Sequence, residues 1–464
     1  FSQNANNTHI LSDIQQSGKD DVALYSDVAK LIHDKKITRF IGIGSALSRN
    51  AHLFSVDKNF FIDTDEFLRH IKKEKFNNET ILLKGSRNYK FERISRILEK
   101  KVHETVLEVN LNALTNNLNY FRSLLNPQTK IMAMVKAFSY GSGAAEIASL
   151  LQYQQVDYLA VAFADEGVVL RDAGITMPIV VLNAEPGSFE TMIDNQLEPE
   201  IYSFSSLEYF SKLLQRKGIS CYPIHIKLDT GMHRLGFIEQ DIEELISIVK
   251  TNTYIRVSSV FTHLAASGDA VHDGFTHRQI VTFSELSTRI VNSLKYLILR
   301  HVLNSAGIER FPEAQFDMVR LGVGLYGVSA ADGNFQNIST LRSTIVQIKN
   351  IPAGDTVGYS RKGVVNSPKR IATIPIGYAD GLNRKFSNGV GYFMVNEQAA
   401  PIIGNVCMDT CMIDITGIDA KEGDSVTVFG DKPSIDELAR LIDTIPYEIL
   451  TSISQRVKRI YVSE

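Results

Sequence analysis

The chain has 464 residues, of which 44% are apolar and 22% are charged, a composition typical of globular proteins that bury a core without disulfides. Its formal net charge is −3 and it contains no long basic run, so nucleic acid is a poor candidate partner. No apolar run approaches the roughly 20 residues of a membrane helix, and the three cysteines, Cys221, Cys407 and Cys411, favour a reducing, cytoplasmic setting.

The first region, residues 1–103, is predicted to form a small α/β domain. The opening residues lack an initiator methionine and the basic-then-apolar order of a signal peptide, so we expect the chain to be part of a longer protein. Arg39 to Gly44 is typical of a strand that runs into a glycine turn, and Thr80 to Gly85 of another. Phe91 to Lys101 has apolar residues at helical spacing and ends in a charged cluster, which predicts a linker helix.

The second region, residues 104–340, alternates short apolar runs with stretches of helical periodicity, such as Ala144 to Gln152 and Ser205 to Gln215. The apolar runs begin near Lys130, Tyr158, Pro178, Glu198, Tyr222, Ile255, Leu297 and Asp317. About eight buried strands that alternate with helices predict a (β/α)8 barrel. A doubly wound open sheet gives a similar pattern and is the alternative at this point.

The third region, residues 341–464, has short β-rich runs separated by glycine, proline and aspartate turns. Strands are predicted over residues 343–349, 370–375, 411–415 and 425–429. This pattern indicates a small, mostly antiparallel β domain.

Lys136 follows the first predicted barrel strand directly. An isolated ammonium is costly to bury, whereas at the C-terminal mouth of a barrel a lysine faces the active-site cavity. Desolvation there favours the neutral amine, which is a nucleophile towards aldehydes. On this run alone, a lysine that simply extends from a strand end into solvent explains the position equally well.

Polar groups also occupy the C-terminal ends of later predicted strands. They lie in the segment His225 to Gly236, at Thr262 and His263, at Asn304 and Ser305, and in Arg320 to Gly324. Hydroxyl and backbone N–H groups after strands seven and eight suit a phosphate. Each one alone is compatible with an ordinary turn, but together on one rim they indicate a site.

In the β region, Gly377 to Gly381 and Gly404 to Asp409 are polar turns that by themselves favour plain hairpin structure.

Taken in order, these segments resemble the alanine racemase family over residues 104–464. The similarity begins at Leu107 to Leu114, runs through the segments described above, and ends with Pro446 to Glu448 and Arg456-Val457. The resemblance implies pyridoxal phosphate as cofactor, alanine as substrate, and a head-to-tail homodimer with shared active sites. It implies racemisation by two bases on opposite faces of the substrate, which supplies D-alanine for peptidoglycan synthesis.

The resemblance also implies a role for individual residues. Lys136 matches the lysine that carries the cofactor and moves a proton on one face of the substrate, and Tyr378 matches the base on the other face. Arg320 matches the arginine that faces the pyridine nitrogen, and because guanidinium keeps its protons, the cofactor becomes a weaker electron sink. His263 matches the residue that orients this arginine. The matches for the rest of the cofactor site are Tyr140, Asn304, Ser305, Gly322 and Val323.

Further matches concern the substrate and the second subunit. Arg234 is expected near cofactor and substrate, and Lys227 matches a lysine that is often carbamylated and pairs with it. Met408 and Asp409 are expected to reach the site from the second subunit, together with Tyr378. Phe138 and Ser142 depart from the usual family residues without removing a catalytic group. Gln455 stands where some members have a tyrosine that touches phosphate, which places that contact in doubt.

Residues 1–103 do not resemble that family. The segments 10–14, 41–44 and 82–87 are similar to the C-terminal domain of the Mur ligase that adds D-alanyl-D-alanine to the UDP-muramoyl tripeptide. The chain contains no GxxxxGK[ST] phosphate loop, so this region cannot carry the full ligase site. We expect it to be catalytically silent.

Two other functions predict different features of the sequence. An amino-acid decarboxylase of the same architecture predicts a different glycine-rich phosphate loop and a catalytic cysteine segment. A non-enzymatic carrier of pyridoxal phosphate predicts a lone barrel, whereas this chain continues into a full β domain that contains Tyr378.

Overall fold

The computed structural model describes residues 6–15, 17–71, 76, 79–98, 105–328 and 335–463. The chain divides into two compact units, Phe1–Val102 and His103–Glu464. None of the helices in the described ranges is both long enough and apolar enough to span a membrane. The predicted further division of the second unit near residue 340 stays a prediction.

The first unit is built on a four-stranded parallel sheet in the order β3-β2-β1-β4. Its strands are β1 (Asn7–Ser12), β2 (Arg39–Ile43), β3 (Asp57–Phe61) and β4 (Thr80–Lys84). Its helices are Asp21–Asp34, Ser45–Arg49, Thr64–His70 and Glu92–Leu98. Both predicted strands and the helix after Phe91 are present, and residues 99–101 of that predicted helix lie outside the described residues. Apolar side chains of the sheet pack on both of its faces.

The second unit begins with strand β5 (Val106–Asn110) and the helix Leu111–Ser123, and a parallel barrel follows. The barrel strands are β6 (Lys130–Met134), β7 (Tyr158–Val161), β8 (Ile179–Val181), β9 (Glu198–Ile201), β10 (Tyr222–Lys227), β11 (Ile255–Phe261), β12 (Leu299–His301) and β13 (Met318–Leu321). Seven strand pairings link the eight strands, and β13 also hydrogen-bonds towards β12 through Asp317 N–Arg300 O at 3.0 Å and Arg320 N–Leu303 O at 2.9 Å. The barrel prediction is therefore confirmed over the open sheet.

The helices after the barrel strands pack through buried apolar residues, and some of them also begin at a side-chain cap. The helix Phe204–Lys217 shows this: Ser203 accepts a hydrogen bond from Ser206 N at its start, Gly218 ends it in a left-handed conformation, and Leu207 and Phe210 are among its buried residues. The other helices of this region are Ala144–Tyr153, Ala164–Asp172, Phe189–Asp194, Ile242–Thr251, Asp273–Leu294 and Ser305–Arg310, and the left-handed turn Lys136–Tyr140 follows β6.

The rest of the unit is mostly β structure. Its strands are β14 (Ser339–Thr344), β15 (Gln347–Ile351), β16 (Thr356–Val357), β17 (Gly363–Val364), β18 (Lys369–Ile374), β19 (Tyr392–Val395), β20 (Gln398–Pro401), β21 (Cys411–Asp414), β22 (Ser425–Phe429) and β23 (Lys458–Val462). Its helices are Ile435–Leu441 and Pro446–Ser452. The main sheet has the order β20-β19-β22-β14-β5-β23, so β5 joins this sheet although it precedes the barrel in the chain.

One strand prediction in this region was wrong. The run 343–349, predicted as one strand, is the end of β14 and the start of β15, which belong to different sheets. The chain changes partners at the junction: Ile345 N donates to Asp424 O and Val346 N donates to Thr373 O, each at 3.0 Å. A continuous β-rich sequence does not reveal such a change of partner.

Candidate active site

The C-terminal ends of the barrel strands bring most of the predicted polar residues to one rim. Lys136 follows β6, Lys227 ends β10, and His263 lies two residues beyond β11. Ser305 starts the helix that follows β12, and Arg320 lies within β13. These side chains are close enough for their charges to interact: Arg320, Lys227, Arg234 and Lys136 all depress the pKa of His263.

The segment after Lys136 is a left-handed turn. Ala137, Phe138, Ser139 and Tyr140 have φ values of +52°, +55°, +51° and +52°. Each such residue costs roughly 1–2 kcal/mol, and strain of this kind persists where surrounding contacts hold it. Glu166 Oε1 accepts a hydrogen bond from Ala137 N at 2.6 Å, and Arg459 Nε donates to Gly141 O at 2.9 Å. The turn fixes Lys136 at the rim and buries Tyr140.

The environment of Lys136 favours its neutral amine. Burial, and then the positive charge of Arg234, lower the pKa of Lys136, while the carboxylate of Glu166 opposes them. Glu166 was not singled out from the sequence, because it lies 30 positions away in the chain and resembles an ordinary residue of a helix start. A lysine in this setting can act as a nucleophile towards an aldehyde.

Arg320 is buried and its hydrogen-bonding is almost complete. Its Nη2 donates to Thr262 O at 2.6 Å and Val302 O at 2.9 Å, and its Nη1 donates to His301 Nδ1 at 2.7 Å and His301 O at 3.2 Å. Guanidinium has five N–H donors, so the Nε–H is the donor without an acceptor among the described residues. Burial lowers the pKa of Arg320 to about 10, still high enough to keep it cationic at neutral pH.

The prediction that His263 orients Arg320 is corrected by these contacts, because the histidine bonded to Arg320 is His301. His301 is fully buried on β12, opposite Phe261 of β11, whereas His263 lies beyond the end of β11 at the rim. His263 stays close to the cations of the rim, and burial and those cations hold its pKa well below the usual range. His301 was present in a predicted strand, but the sequence alone did not show that its side chain points inward towards Arg320.

The turn after β13 is tight and lined with donors. Ser305 Oγ accepts hydrogen bonds from Gly322 N at 2.9 Å and Gly324 N at 3.3 Å. A Cβ at residue 322 would lie 3.0 Å from the Tyr140 hydroxyl, so this hydroxyl lies close to the turn. Val323 begins the helical turn Val323–Tyr326.

Asn304 has a structural part in the same place. Its Oδ1 accepts from Gly307 N at 2.9 Å and from Ser267 Oγ at 2.7 Å, so it caps the helix Ser305–Arg310. A direct cofactor contact of Asn304 stays a prediction.

Lys227 is paired with a carboxylate that sequence reasoning missed. Its Nζ lies 3.4 Å from Glu200 Oε1 and 4.4 Å from the centre of the Phe261 ring, and both charged residues are buried. Burial raises the pKa of Glu200 and lowers that of Lys227, and the attraction between them opposes both shifts. The sequence signal that could have identified Glu200 was its position as a second glutamate inside the short strand β9. The exposed Arg234 adds its positive charge to this group, and its predicted pairing with Lys227 stays a prediction.

Tyr378 lies on a surface of the β domain and is 44% exposed. Its N–H donates to Cys407 O, and Ala379 N donates to Met408 O, each at 3.0 Å. A Cβ on Gly377 would collide with the Met408 carbonyl group, so the two turns touch at a glycine. The structure thus brings the predicted residues Tyr378 and Met408 together.

An ion pair between an exposed arginine and a buried aspartate ties the same turns to the C-terminal segment. Asp380 is fully buried and accepts from Gly377 N at 2.8 Å and Arg456 Nε at 2.7 Å. Arg456 Nη2 donates to Asp409 Oδ1 at 2.8 Å. Gln455, the residue before Arg456, is exposed.

Family models match most of the chain beyond the first unit. Residues 109–330 match the model described as "Alanine racemase, N-terminal domain", and residues 338–461 match "Alanine racemase, C-terminal domain". The chain is 35% identical over 375 residues to "Alanine racemase 2" of Caldanaerobacter subterraneus subsp. tengcongensis, with 78% of this chain and 96% of that protein covered. It is 37% identical over 375 residues to the alanine racemase of Sorangium cellulosum, with 77% and 98% covered.

Solved structures agree with these sequence matches. The alanine racemase of Clostridium difficile superposes with a TM-score of 0.74 at 34% identity, with 78% of this chain and 97% of that chain covered. The alanine racemase of Bartonella henselae, described with covalently bound pyridoxal phosphate, superposes with a TM-score of 0.71 at 30% identity and coverages of 78% and 100%. The similarity of residues 1–103 to a Mur ligase domain stays a prediction.

Proposed function

The chain belongs to the alanine racemase family, and from that premise we propose that it interconverts L-alanine and D-alanine to supply D-alanine for peptidoglycan synthesis. The observation that carries the proposal is the site at the barrel rim. There, a lysine with a lowered pKa lies together with a buried arginine whose Nε–H has no acceptor among the described residues, within a region that matches the family along its whole length.

The residues at the rim fit pyridoxal phosphate, the cofactor of this family. Lys136 offers a reactive amine for the aldehyde, and the Nε–H of Arg320 is a donor for the ring nitrogen. The phosphate is proposed to bind at the Tyr140 hydroxyl, Ser305 and the amides of Gly322 and Val323, because hydroxyl and N–H donors suit phosphate oxygens. When bound, the cofactor draws electrons from the substrate and so makes the Cα hydrogen acidic.

We assign the proton transfers to two side chains of this protein. The Nζ of Lys136 moves a proton at one face of the substrate Cα, and the phenol oxygen of Tyr378 moves a proton at the opposite face. Removal on one face and return on the other inverts the configuration. Arg320 keeps its charge and donates a hydrogen bond without giving up its proton, which limits side reactions. The exposed Arg234 and the turn at Met408 and Asp409 are proposed to hold the substrate.

Tyr378 and Lys136 are proposed to meet in a head-to-tail homodimer. Tyr378 and Met408 are 44% and 54% exposed in a single chain and lie on one surface of the β domain. A large exposed apolar side chain beside a catalytic phenol fits a surface that closes over the partner's barrel. All three cysteines are free thiols, which supports a reducing compartment, and the cytoplasm is the proposed location.

The purified full chain loaded with cofactor tests the function. We expect a yellow absorption band that disappears in Lys136→Ala, and loss of optical activity when L-alanine is added, without release of carbon dioxide. Release of carbon dioxide would identify a decarboxylase instead. Tyr378→Phe should keep the yellow band and lose most of the racemisation; turnover at the parent rate would overturn the assignment of the second base.

A further inference from the structure

Five consecutive barrel strands each contribute one polar side chain to a continuous chain of hydrogen bonds. Glu198 (β9) lies 2.7 Å from His225 Nε2 (β10), and His225 Nδ1 lies 2.6 Å from Ser259 Oγ (β11). Ser259 Oγ lies 2.9 Å from His301 Nε2 (β12), and His301 Nδ1 lies 2.7 Å from Arg320 Nη1 (β13). We call these five residues the barrel relay. His225, Ser259 and His301 are fully buried.

The direction of every hydrogen bond in the barrel relay follows from its two ends. Arg320 can only donate, so His301 Nδ1 accepts and His301 Nε2 carries the proton. Ser259 Oγ therefore accepts from His301, and its own O–H is left to donate to His225 Nδ1.

The same logic reaches the other end. With Nδ1 as acceptor, the neutral ring of His225 carries its proton on Nε2 and donates it to Glu198, which as a carboxylate can only accept. Reversing one bond would leave His301 with two acceptor nitrogens or the Ser259 proton without an acceptor. The barrel relay thus has one arrangement of protons in which each member is satisfied.

We propose that Ser259, His225 and Glu198 are positioning residues for the reaction: they hold His301 in its Nε2–H form, so that its Nδ1 accepts from Arg320 and the Nε–H of Arg320 stays directed to the cofactor ring. This inference rests on the proposed function.

Other contacts in the barrel support a role in orientation. The His301 ring stacks on Phe261, with centroids 4.7 Å apart and planes 5° apart, and the Arg320 guanidinium lies 5.2 Å from the same Phe261 ring. Phe261 therefore restrains the His301 ring and the Arg320 guanidinium, while the hydrogen bonds set which nitrogen of His301 carries the proton. Burial and the charge of Arg320 hold the pKa of His301 well below the usual range, which agrees with a neutral ring.

Loss of the Ser259 hydroxyl would remove the acceptor for His301 Nε2–H. The ring could then change to the Nδ1–H tautomer, which places an N–H against the Nη1–H of Arg320, and the guanidinium would have to rotate. A packing role alone would leave the tautomer of His301 unchanged, since serine and alanine differ by one atom. The tautomer therefore distinguishes positioning from packing.

The experiment compares the full-length holoenzyme, labelled with 15N-histidine, with Ser259→Ala and with the matched variant Ser287→Ala. Ser287 is also fully buried, with its hydroxyl bonded to Ser284 O, and it is outside the barrel relay. The His301 signals, assigned by their loss in His301→Gln, should show protonated Nε2 and bare Nδ1 in the parent and in Ser287→Ala. In Ser259→Ala we expect the signals to change, the cofactor absorption band to shift, and kcat to fall about 10- to 100-fold.

Glu198 provides a second, graded test. Glu198→Gln keeps an oxygen acceptor for His225 Nε2–H and should have the kcat and spectra of the parent. Glu198→Leu removes this acceptor and should resemble Ser259→Ala. If the parent racemises alanine but Ser259→Ala matches Ser287→Ala in tautomer, spectrum and kcat, the barrel relay has no positioning role. If the parent binds no cofactor or does not racemise alanine, the proposed function itself fails.

Discussion

Lys136 lies between a cation and an anion, and the balance between them sets how readily its amine loses a proton. Arg234 adds to the effect of burial in lowering the pKa, and Glu166 opposes it. A lowered pKa means that the neutral amine is present at a lower pH than in a free lysine. Changes at Arg234 and at Glu166 should therefore shift the pKa of Lys136 in opposite directions.

We expect Arg234→Gln and Glu166→Gln to shift the pH dependence of Lys136 reactivity in opposite directions. Loss of the Arg234 cation should raise the pKa of Lys136 and move the midpoint to higher pH. Loss of the Glu166 anion should lower the pKa further and move the midpoint to lower pH. The measurement is acylation of Lys136 in the cofactor-free protein across a pH series, read by peptide mass spectrometry. Midpoints that move together would contradict the electrostatic account.

The buried pair of Lys227 and Glu200 makes a prediction about stability. Removing one partner of a buried ion pair leaves an uncompensated charge and costs about 3–5 kcal/mol, whereas replacing both with apolar residues is often neutral. Glu200→Leu should therefore lower the free energy of unfolding in urea by about that amount, and Glu200→Leu with Lys227→Met should recover most of it.

An exposed pair provides the control for that experiment. Glu208 and Lys212 form an ion pair on the surface, with both side chains about two-thirds exposed. Glu208→Leu should change the free energy of unfolding far less than Glu200→Leu, because water screens exposed charges. A double variant at positions 200 and 227 that is as unstable as the single variant would show that the charges are not what makes the position sensitive.

At the scale of elements, two turns of the β domain form one unit around Tyr378. Gly377 lies against the Met408 carbonyl, and Asp380 and Arg456 connect the turn to Asp409 and to the C-terminal segment. The role proposed for Tyr378 depends on this turn, because the backbone of the turn positions the phenol.

Gly377→Ala should therefore displace Tyr378 without touching the lysine. Since an added methyl group collides with Met408 O, we expect kcat to fall about 100-fold, as for a catalytic group misplaced by about 1 Å, while the cofactor absorption band stays unchanged. Gly187→Ala is the matched control, because its added methyl group meets nothing within 4 Å, and it should racemise alanine at the parental rate. A parental rate in Gly377→Ala would mean that Tyr378 tolerates a shifted turn.

The elements also show how far a sequence predicts a structure. All eight barrel strands lie where apolar runs predicted them, because most side chains of a parallel strand that is covered on both faces are apolar. The junction at Ile345 was missed, since two adjacent strands with different partners have the same local pattern as one long strand. The assignment of His263 in place of His301 was wrong for a related reason: only the register between β11 and β12 shows which histidine faces Arg320.

At the scale of the whole molecule, the sequence predicted which segments meet at the barrel rim but not which side chains pair with one another there. Lys136, Ser305 and Arg320 could be predicted because strand ends share one rim of a barrel. Glu200, Glu166 and Ser259 act through contacts with residues far away in sequence, and single-sequence patterns carry no signal for such pairs.

The shared site can be tested by mixing two variants that each lack one base. Lys136→Ala lacks the amine at the barrel rim and Tyr378→Phe lacks the phenol on the β domain, so each homodimer should have little activity. If the two groups come from different subunits, a heterodimer contains one site with both groups intact and one site with neither. After subunit exchange of equal amounts, half of the dimers are mixed, and activity should rise to about one quarter of the parental value.

If both groups of a site came from one chain, every site in the mixture would lack a base and the activity would not rise on exchange. Mixing parental protein with the double variant provides the reference for the efficiency of exchange.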